Sequence, residues 1–351
     1  MFRSMRRGRI VAAVALASLG LAACSGTSAE LSTPTRQLTV MTHDSFSLSQ
    51  DLLDSFEAAT GYEVTYLAPG DAGTLVNQLV LTQDAPLGDV VYGIDNTFAG
   101  RALHNQVVVP YAPEAVAAAD LMPYAADETS RLTPIDFGDV CVNADLGWFA
   151  EHELPLPRTL DDLADPAYAD LFVTPNPASS SPGMAFLAAT VGSHGDPGYL
   201  DYWSQLTENG VLIAQDWTEA YTVQFSGSSG AGPRPLVVSY ATSPAFEVTD
   251  GKAPTQALLD TCFRQVEYAG VIAGAQNVAG AEAFIEFLLS EPVQAEIPDQ
   301  MYMYPVAPTA ELPADWEAYA PLAAEPIRMA AETIGQDRDR WITDWTTAVI
   351  G

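Results

Sequence analysis

Leu38-Thr39-Val40-Met41, Tyr62-Glu63-Val64-Thr65-Tyr66-Leu67 and Asp89-Val90-Val91-Tyr92-Gly93 are three β-rich runs in one stretch of chain, and what separates them decides the fold. Between the first two, Gln50 to Thr60 places Leu52, Leu53 and Phe56 on one helical face, and Gly61 supplies the stop. Between the second and third, Pro69-Gly70-Asp71-Ala72-Gly73 opens another helix, Thr74 to Gln83, with Leu75, Val76, Leu79 and Val80 as its apolar positions. Parallel strands need a crossover, usually a helix, so this alternation predicts a parallel sheet. Polar residues follow the first and third strands, Thr42-His43-Asp44 and Asp95-Asn96. A site is therefore expected at the carboxyl edge of the sheet.

Farther along, Ile135 to Asn143 reads as one long strand, Leu160 to Ala164 as a short helix and Leu171 to Thr174 as a buried strand. Asn176 to Ser181 leads through Pro182-Gly183 into an Ala-rich helix, Met184 to Val191, with Ser181 or a neighbouring Ser at the N-cap. Phe225 to Pro235 is a Gly/Ser loop, and Leu236-Val237-Val238 a buried strand. Cys262 to Val271 is a second long strand, followed by an apolar helix at Ala281 to Leu289. A helical tail is expected from Ala323 to Ala348, carrying Trp341 and Trp345. The two long strands bracket a middle segment, as in a chain that crosses between two lobes and returns. The expected class is α/β and two-lobed, with mixed or parallel sheets flanked by helices and a cleft between lobes. Residues 38–135 and 262–351 would form one lobe and residues 136–261 the other.

The amino terminus reads as an address. Arg3, Arg6, Arg7 and Arg9 precede an apolar run, Ile10 to Leu21, too short to span a bilayer comfortably. It closes on Leu21-Ala22-Ala23-Cys24, which resembles the bacterial lipobox. Residues 1–23 are thus expected to be removed as a signal peptide, with Cys24 lipidated and 24–37 acting as a flexible tether. The expected location is the outer face of the cytoplasmic membrane. Four of the 14 Lys and Arg residues lie in the leader, which leaves ten against 45 Asp and Glu. Such a field repels nucleic acid and anionic lipid and favours cations. With 48% hydrophobic residues the chain can fill sizeable cores.

Asp216-Trp217-Thr218-Glu219-Ala220-Tyr221 sets two rings four residues apart, which stacks them on one face of a helix. Ser239-Tyr240-Ala241-Thr242-Ser243-Pro244-Ala245-Phe246 follows the strand at Leu236 and delivers an aromatic ring with several hydroxyls. By pattern alone Trp217, Tyr221 and Tyr240 fit either a cleft or an ordinary core. Together with Leu38 to Phe46, Ile94-Asp95-Asn96 and Met303-Tyr304-Pro305-Val306, these segments resemble the thiamine-binding proteins of bacterial ABC importers, of the type II periplasmic binding protein superfamily, over nearly the whole mature chain.

The resemblance implies a binding protein, not an enzyme, that needs no cofactor and hands thiamine or its mono- or pyrophosphate to an ABC permease. It assigns Trp217, Tyr221 and Tyr240 to the ligand's rings and Asp71 to its cationic and amine groups. Ser181 and Gly183 fall at the phosphate or hydroxyl end. Asp95 faces the same cleft, or equally caps its loop. Ser243 belongs to one of the matching segments. Two residues depart from the family pattern: His43 stands where a Tyr is common, and Tyr302 where a Trp is common. The protein is expected to be a monomer without a metal.

A ferric-ion binder of the same superfamily would present adjacent tyrosines, and this chain has no Tyr-Tyr pair. A polyamine binder suits the charge but not the Asp-Trp-Thr-Glu-Ala-Tyr segment. An exported enzyme finds no support in His43, His104, His152 and His194, which have no metal-ligand spacing, and no G-x-S-x-G or phosphate-loop motif appears. With Cys24 set aside, Cys141 and Cys262 remain, one on each long strand, in an oxidising compartment. They are expected to form a disulfide, the alternative being two buried free thiols.

Overall fold

The structure, a computed structural model, describes residues 35–227 and 231–351. The expected signal peptide, Cys24 and nearly all of the tether lie outside the described residues, as does the centre of the Gly/Ser loop. The opening stretch forms β1 (Gln37–Met41), α1 (Gln50–Thr60), β2 (Glu63–Leu67), α2 (Ala72–Leu81) and β3 (Val90–Asp95). Both helices are bounded by their own residues. The Ser49 hydroxyl accepts from Leu52 N–H to start α1, and Gly61 ends it with φ 75°. Asp71 caps α2, accepting the Ala72 N–H at 2.8 Å. As expected, β1 lies parallel to both β2 and β3.

After α3 (Ala99–His104), β4 (Val108–Val109) and α4 (Ala118–Leu121) comes β5 (Thr133–Asp145), longer than its apolar run suggests. Next come α5 (Leu146–Glu151), β6 (Phe172–Pro175), α6 (Ser181–His194), α7 (Gly198–Glu208), β7 (Leu212–Ala214) and α8 (Trp217–Glu219). A further turn of wide helix covers Ala220–Gln224. Then follow β8 (Leu236–Tyr240), α9 (Ser243–Phe246), β9 (Thr255–Ile272), α10 (Val278–Leu288), α11 (Glu291–Gln300), β10 (Tyr304–Pro305), α12 (Trp316–Tyr319) and α13 (Ala331–Val349).

One mixed sheet runs β2-β1-β3-β9-β5-β8-β6-β7, with β10 against β5 and β4 against β9. Its two outer wings are parallel, β2-β1-β3 and β8-β6-β7. The central strands β9 and β5 run antiparallel to each other, and β9 is antiparallel to β3 as β5 is to β8. The two long strands thus join the wings, and carboxyl ends from both wings converge beside them. Leu38, Val40, Val90, Val91, Phe263 and Val271 fill the sheet's core at 1% exposure or less.

The N-cap of α6 is Ser180, one of the serines expected there, with Ser181 as the first helical residue, and Ser180 makes no side-chain cap. One expectation needs correction. The tail helix begins at Ala331, not Ala323, because Ile327 is used as strand: it accepts from Arg264 N–H at 3.0 Å and donates to Cys262 O at 2.8 Å. Pro326, which cannot donate inside a helix, stands just before it. Finally α11, with Pro292 in its first turn and Pro298 inside, is a helix that prolines hide from a pattern reading.

Candidate functional site

The aromatic wall is built locally. Asp216 accepts the Glu219 N–H at 2.8 Å and starts α8, and the widened turn after it leaves the Trp217 and Tyr221 rings stacked, 5.1 Å apart at 14°. Each ring is then held from behind. Trp217 Nε1 donates to Ser239 Oγ at 2.9 Å, and the Ser239 and Ser243 hydroxyls lie 2.8 Å apart. The Tyr221 hydroxyl donates to Glu247, which also accepts from Thr255 on β9. Burial, reinforced by Glu247, pushes the Tyr221 phenol far above its ordinary range, so it stays a donor.

Asp71 gives one carboxylate oxygen to the start of α2, while the other is buried near the Ser180 hydroxyl without a hydrogen bond of normal length. Burial raises its pKa, against the pull of its hydrogen bonds and of His43. A buried carboxylate oxygen without a normal hydrogen bond is costly, and a bound cation or N–H donor would satisfy it.

A polar chain adjoins these groups. The Tyr92 hydroxyl approaches Asp136 at 2.5 Å and Glu267 at 2.8 Å, with one proton for two carboxyls. Burial and the neighbouring Glu267 push the Asp136 carboxyl well above the usual carboxylate range. Burial also opposes charge on Glu267, but His43, Tyr92 and Gln265 outweigh it and hold that group below its ordinary value. Gln265 Nε2 donates both to Glu267 at 3.0 Å and to the Tyr240 hydroxyl at 3.1 Å. The His43 ring stands 3.6 Å from Glu267. Burial alone would lower its pKa, but Glu267, Asp71 and Asp44 together raise it.

Of these groups Trp217, Tyr221, Ser243, Glu247, Asp71, Tyr240, His43 and Glu267 line a cavity of about 390 Å³. Of the residues singled out from sequence, His43, Asp71, Ser181, Trp217, Tyr221, Tyr240, Ser243 and Tyr302 line it. Gly183 and Asp95 stand outside the lining. Gly183 is a packing residue: a Cβ there would lie 2.5 Å from Pro175 O and 2.9 Å from Asn176 O. Asp95 is fully buried and caps its own loop, accepting from Thr97 N–H and Oγ at 2.6 Å each and from Phe98 N–H at 3.2 Å. Its second oxygen takes the Ser181 hydroxyl, and burial pushes the carboxyl up to about 6.

Sequence reasoning passed over Glu247, Glu267 and Met301, which line the cavity together with Phe246 and Met303 of the matching segments. Glu267 had a readable signal. It interrupts the apolar run Val266 to Val271 in the middle of a buried strand, where an acid needs partners or a task.

Residues 85–324 match the family of bacterial extracellular solute-binding proteins, most of the chain. The chain belongs to that family. It is 28% identical to the thiamine-binding periplasmic protein of Salmonella typhimurium over 321 residues, covering 89% of this chain and 93% of that one. Among solved structures it is similar to a periplasmic thiamin binding protein, at 27% identity and a TM-score of 0.77, over 89% of this chain and 96% of the other. Iron-bound HitA from Pseudomonas aeruginosa shares the fold at 18% identity and a TM-score of 0.72, over 89% of this chain and 99% of the other. The solute-binding fold therefore carries the cavity, and convergence of carboxyl strand ends from both sheet wings is how it does so.

Proposed function

We propose that this chain is a lipid-anchored solute-binding protein that captures thiamine, or one of its phosphate esters, and delivers it to an ABC permease without chemical change. One observation carries the reading: stacked Trp217 and Tyr221 rings face the same cavity as an Asp71 oxygen that is buried without a hydrogen bond of normal length. A flat cation fits that combination. Stacking and cation–π contact with each ring would contribute roughly 0.5–2 kcal/mol, and the carboxylate would accept from an exocyclic amine while balancing the ring charge.

The relatives named for thiamine binding support this ligand over the iron carried by the more distant fold neighbour. In this reading Cys24 carries the lipid, the mature protein is a monomer, and residues 38–135 with 262–351 close on residues 136–261 around the ligand. Calorimetry of the mature protein against thiamine, spermidine and ferric citrate tests it. Heat from thiamine alone is the expected result. Heat from spermidine or iron alone would reassign the site.

A further inference from the structure

We propose that Glu247 acts on the bound cation through Tyr221, as a positioning residue whose charge makes the stacked rings a stronger cation binder. The inference rests on the thiamine reading and deepens it, by naming what lets the aromatic wall prefer a charged ring over a neutral one of the same shape. Glu247 follows α9 as its C-cap and lines the cavity, half-buried. One of its oxygens takes the Tyr221 hydroxyl. The other takes the hydroxyl of Thr255, the first residue of β9. Burial and the charge of Asp145 raise its pKa, and the two hydroxyls oppose the rise by donating to the charged form.

A neutral acceptor would hold Tyr221 in place equally well, without the cost of desolvating a carboxylate. The charge therefore has a use that geometry alone does not supply. When a phenol donates to a carboxylate, electron density shifts from the O–H bond onto the oxygen and into the ring. That shift deepens the negative ring face to which a cation is drawn. Tyr221 is held to pass the effect on. Its ring is 4% exposed, stacked 5.1 Å from Trp217 and 5.7 Å from Phe225. The Ser243 hydroxyl also bonds the Tyr221 phenol, and Ser239 joins Ser243 to Trp217 Nε1, so both rings are fixed together. The other lining acids are committed differently. Asp71 caps α2, and Glu267 meets His43, Tyr92 and Gln265, whereas Glu247 bonds to the aromatic wall itself.

The test is a double-mutant cycle on the mature protein, read with two ligands. Glu247→Gln keeps an acceptor for Tyr221 and an amide that can pair with Thr255, and removes the charge. Tyr221→Phe keeps the ring and removes the hydroxyl through which the charge acts. The parent, both single variants and the double variant, each shown to unfold cooperatively, are titrated with thiamine and with an analogue carrying an uncharged thiophene in place of the thiazolium. Glu247→Gln is expected to weaken thiamine by about three- to tenfold and the neutral analogue by less than about twofold. In the Tyr221→Phe background the same substitution should cost thiamine less than about twofold, because the route is already cut. Equal effects on the two ligands, or none, would leave Glu247 a structural prop. An undiminished loss in the Tyr221→Phe background would make it a direct counter-charge. Either result overturns the proposal and leaves the thiamine reading standing. Should Glu247→Gln fail to fold, Tyr221→Phe alone decides: it must weaken thiamine more than the analogue, and an equal effect on both overturns the proposal. Thiamine that does not bind the parent overturns the thiamine reading, and this inference with it.

Discussion

At the scale of single residues, the cavity keeps charge where water would normally quench it, and its behaviour should follow protons. Asp71 offers the simplest case. Asp71→Asn retains the shape, the α2 cap and an acceptor oxygen but removes the charge, so thiamine binding should weaken by about 1–3 kcal/mol. Equal affinities at low and high salt would reduce Asp71 to a loop cap. His43 carries a pH dependence whose sign follows from its raised pKa. Its pairing with Glu267 stabilises the fold fully below the ordinary imidazole value and is lost as pH rises through the raised one. The lowered Glu267 adds stability at higher pH and loses it as pH falls through its depressed value. The Ser45 N–H, which needs an unprotonated Nδ1, offsets part of the imidazolium's gain. A cationic ligand beside Glu267 competes with protonated His43, so binding should release protons and strengthen as pH rises through the His43 pKa. Calorimetry between pH 5.5 and 8 in buffers of different ionisation heat measures this. A pH-independent affinity in the parent protein would show that His43 and the ligand do not share Glu267.

At the scale of elements, legibility tracked how locally each element is determined. The α1 helix was readable to its ends because Ser49 and Gly61 fix both of them within the segment. The stacked pair on α8 was readable too, since four-residue spacing brings rings together in the α-helix and in its widened neighbour. By contrast α13 starts late because Ile327 pairs with β9, a partner more than sixty positions earlier that no local pattern encodes. Likewise α6 buries nearly all its sides and so lacks a polar face to mark its length. The role of Gly183 in its first turn is testable. Gly183→Ala would normally favour a helix by up to about 1 kcal/mol. Here the added methyl meets backbone atoms of Pro175 and Asn176, which cannot rotate away as a side chain can. Overpacking of this kind costs about 1–3 kcal/mol, so the variant should melt lower, by roughly 2–4 °C per kcal/mol lost. An unchanged or higher melting temperature would mean that α6 can slide on β6.

At the scale of the whole molecule, β5 and β9 carry the connection between the sheet's wings, and the disulfide sits where they are least regular. Val140 pairs with Phe263 but Val142 pairs with Leu258, so Leu259 to Cys262 bulge opposite Cys141. Alternation along two long strands made the crossing legible, whereas the bulge, set by Thr261 bonding Val142 N–H and Leu258 O, was not. The expected Cys141–Cys262 bond is formed there, with Cα atoms 4.1 Å apart across a sequence separation of 121. Both cysteines are 1% exposed and pack with Ala241, Ala257 and Ala323, away from the cavity lining. In the chain-entropy description a loop of this size restricts the unfolded state by about 5 kcal/mol, an upper figure because engineered and native bridges often deliver less. The bond therefore belongs to stability and not to recognition. In Cys141→Ser/Cys262→Ser the denaturant midpoint should fall, and thiamine affinity should stay within about twofold of the parent, since the lost term acts chiefly on the unfolded chain. Equilibrium denaturation of the oxidised parent and the double variant, each titrated with ligand while folded, separates the two effects. A midpoint that does not move would remove the bridge from the stability of the crossing. An unmoved midpoint with weakened binding would instead tie the bulge to the cavity, through the long strand that also presents Glu267.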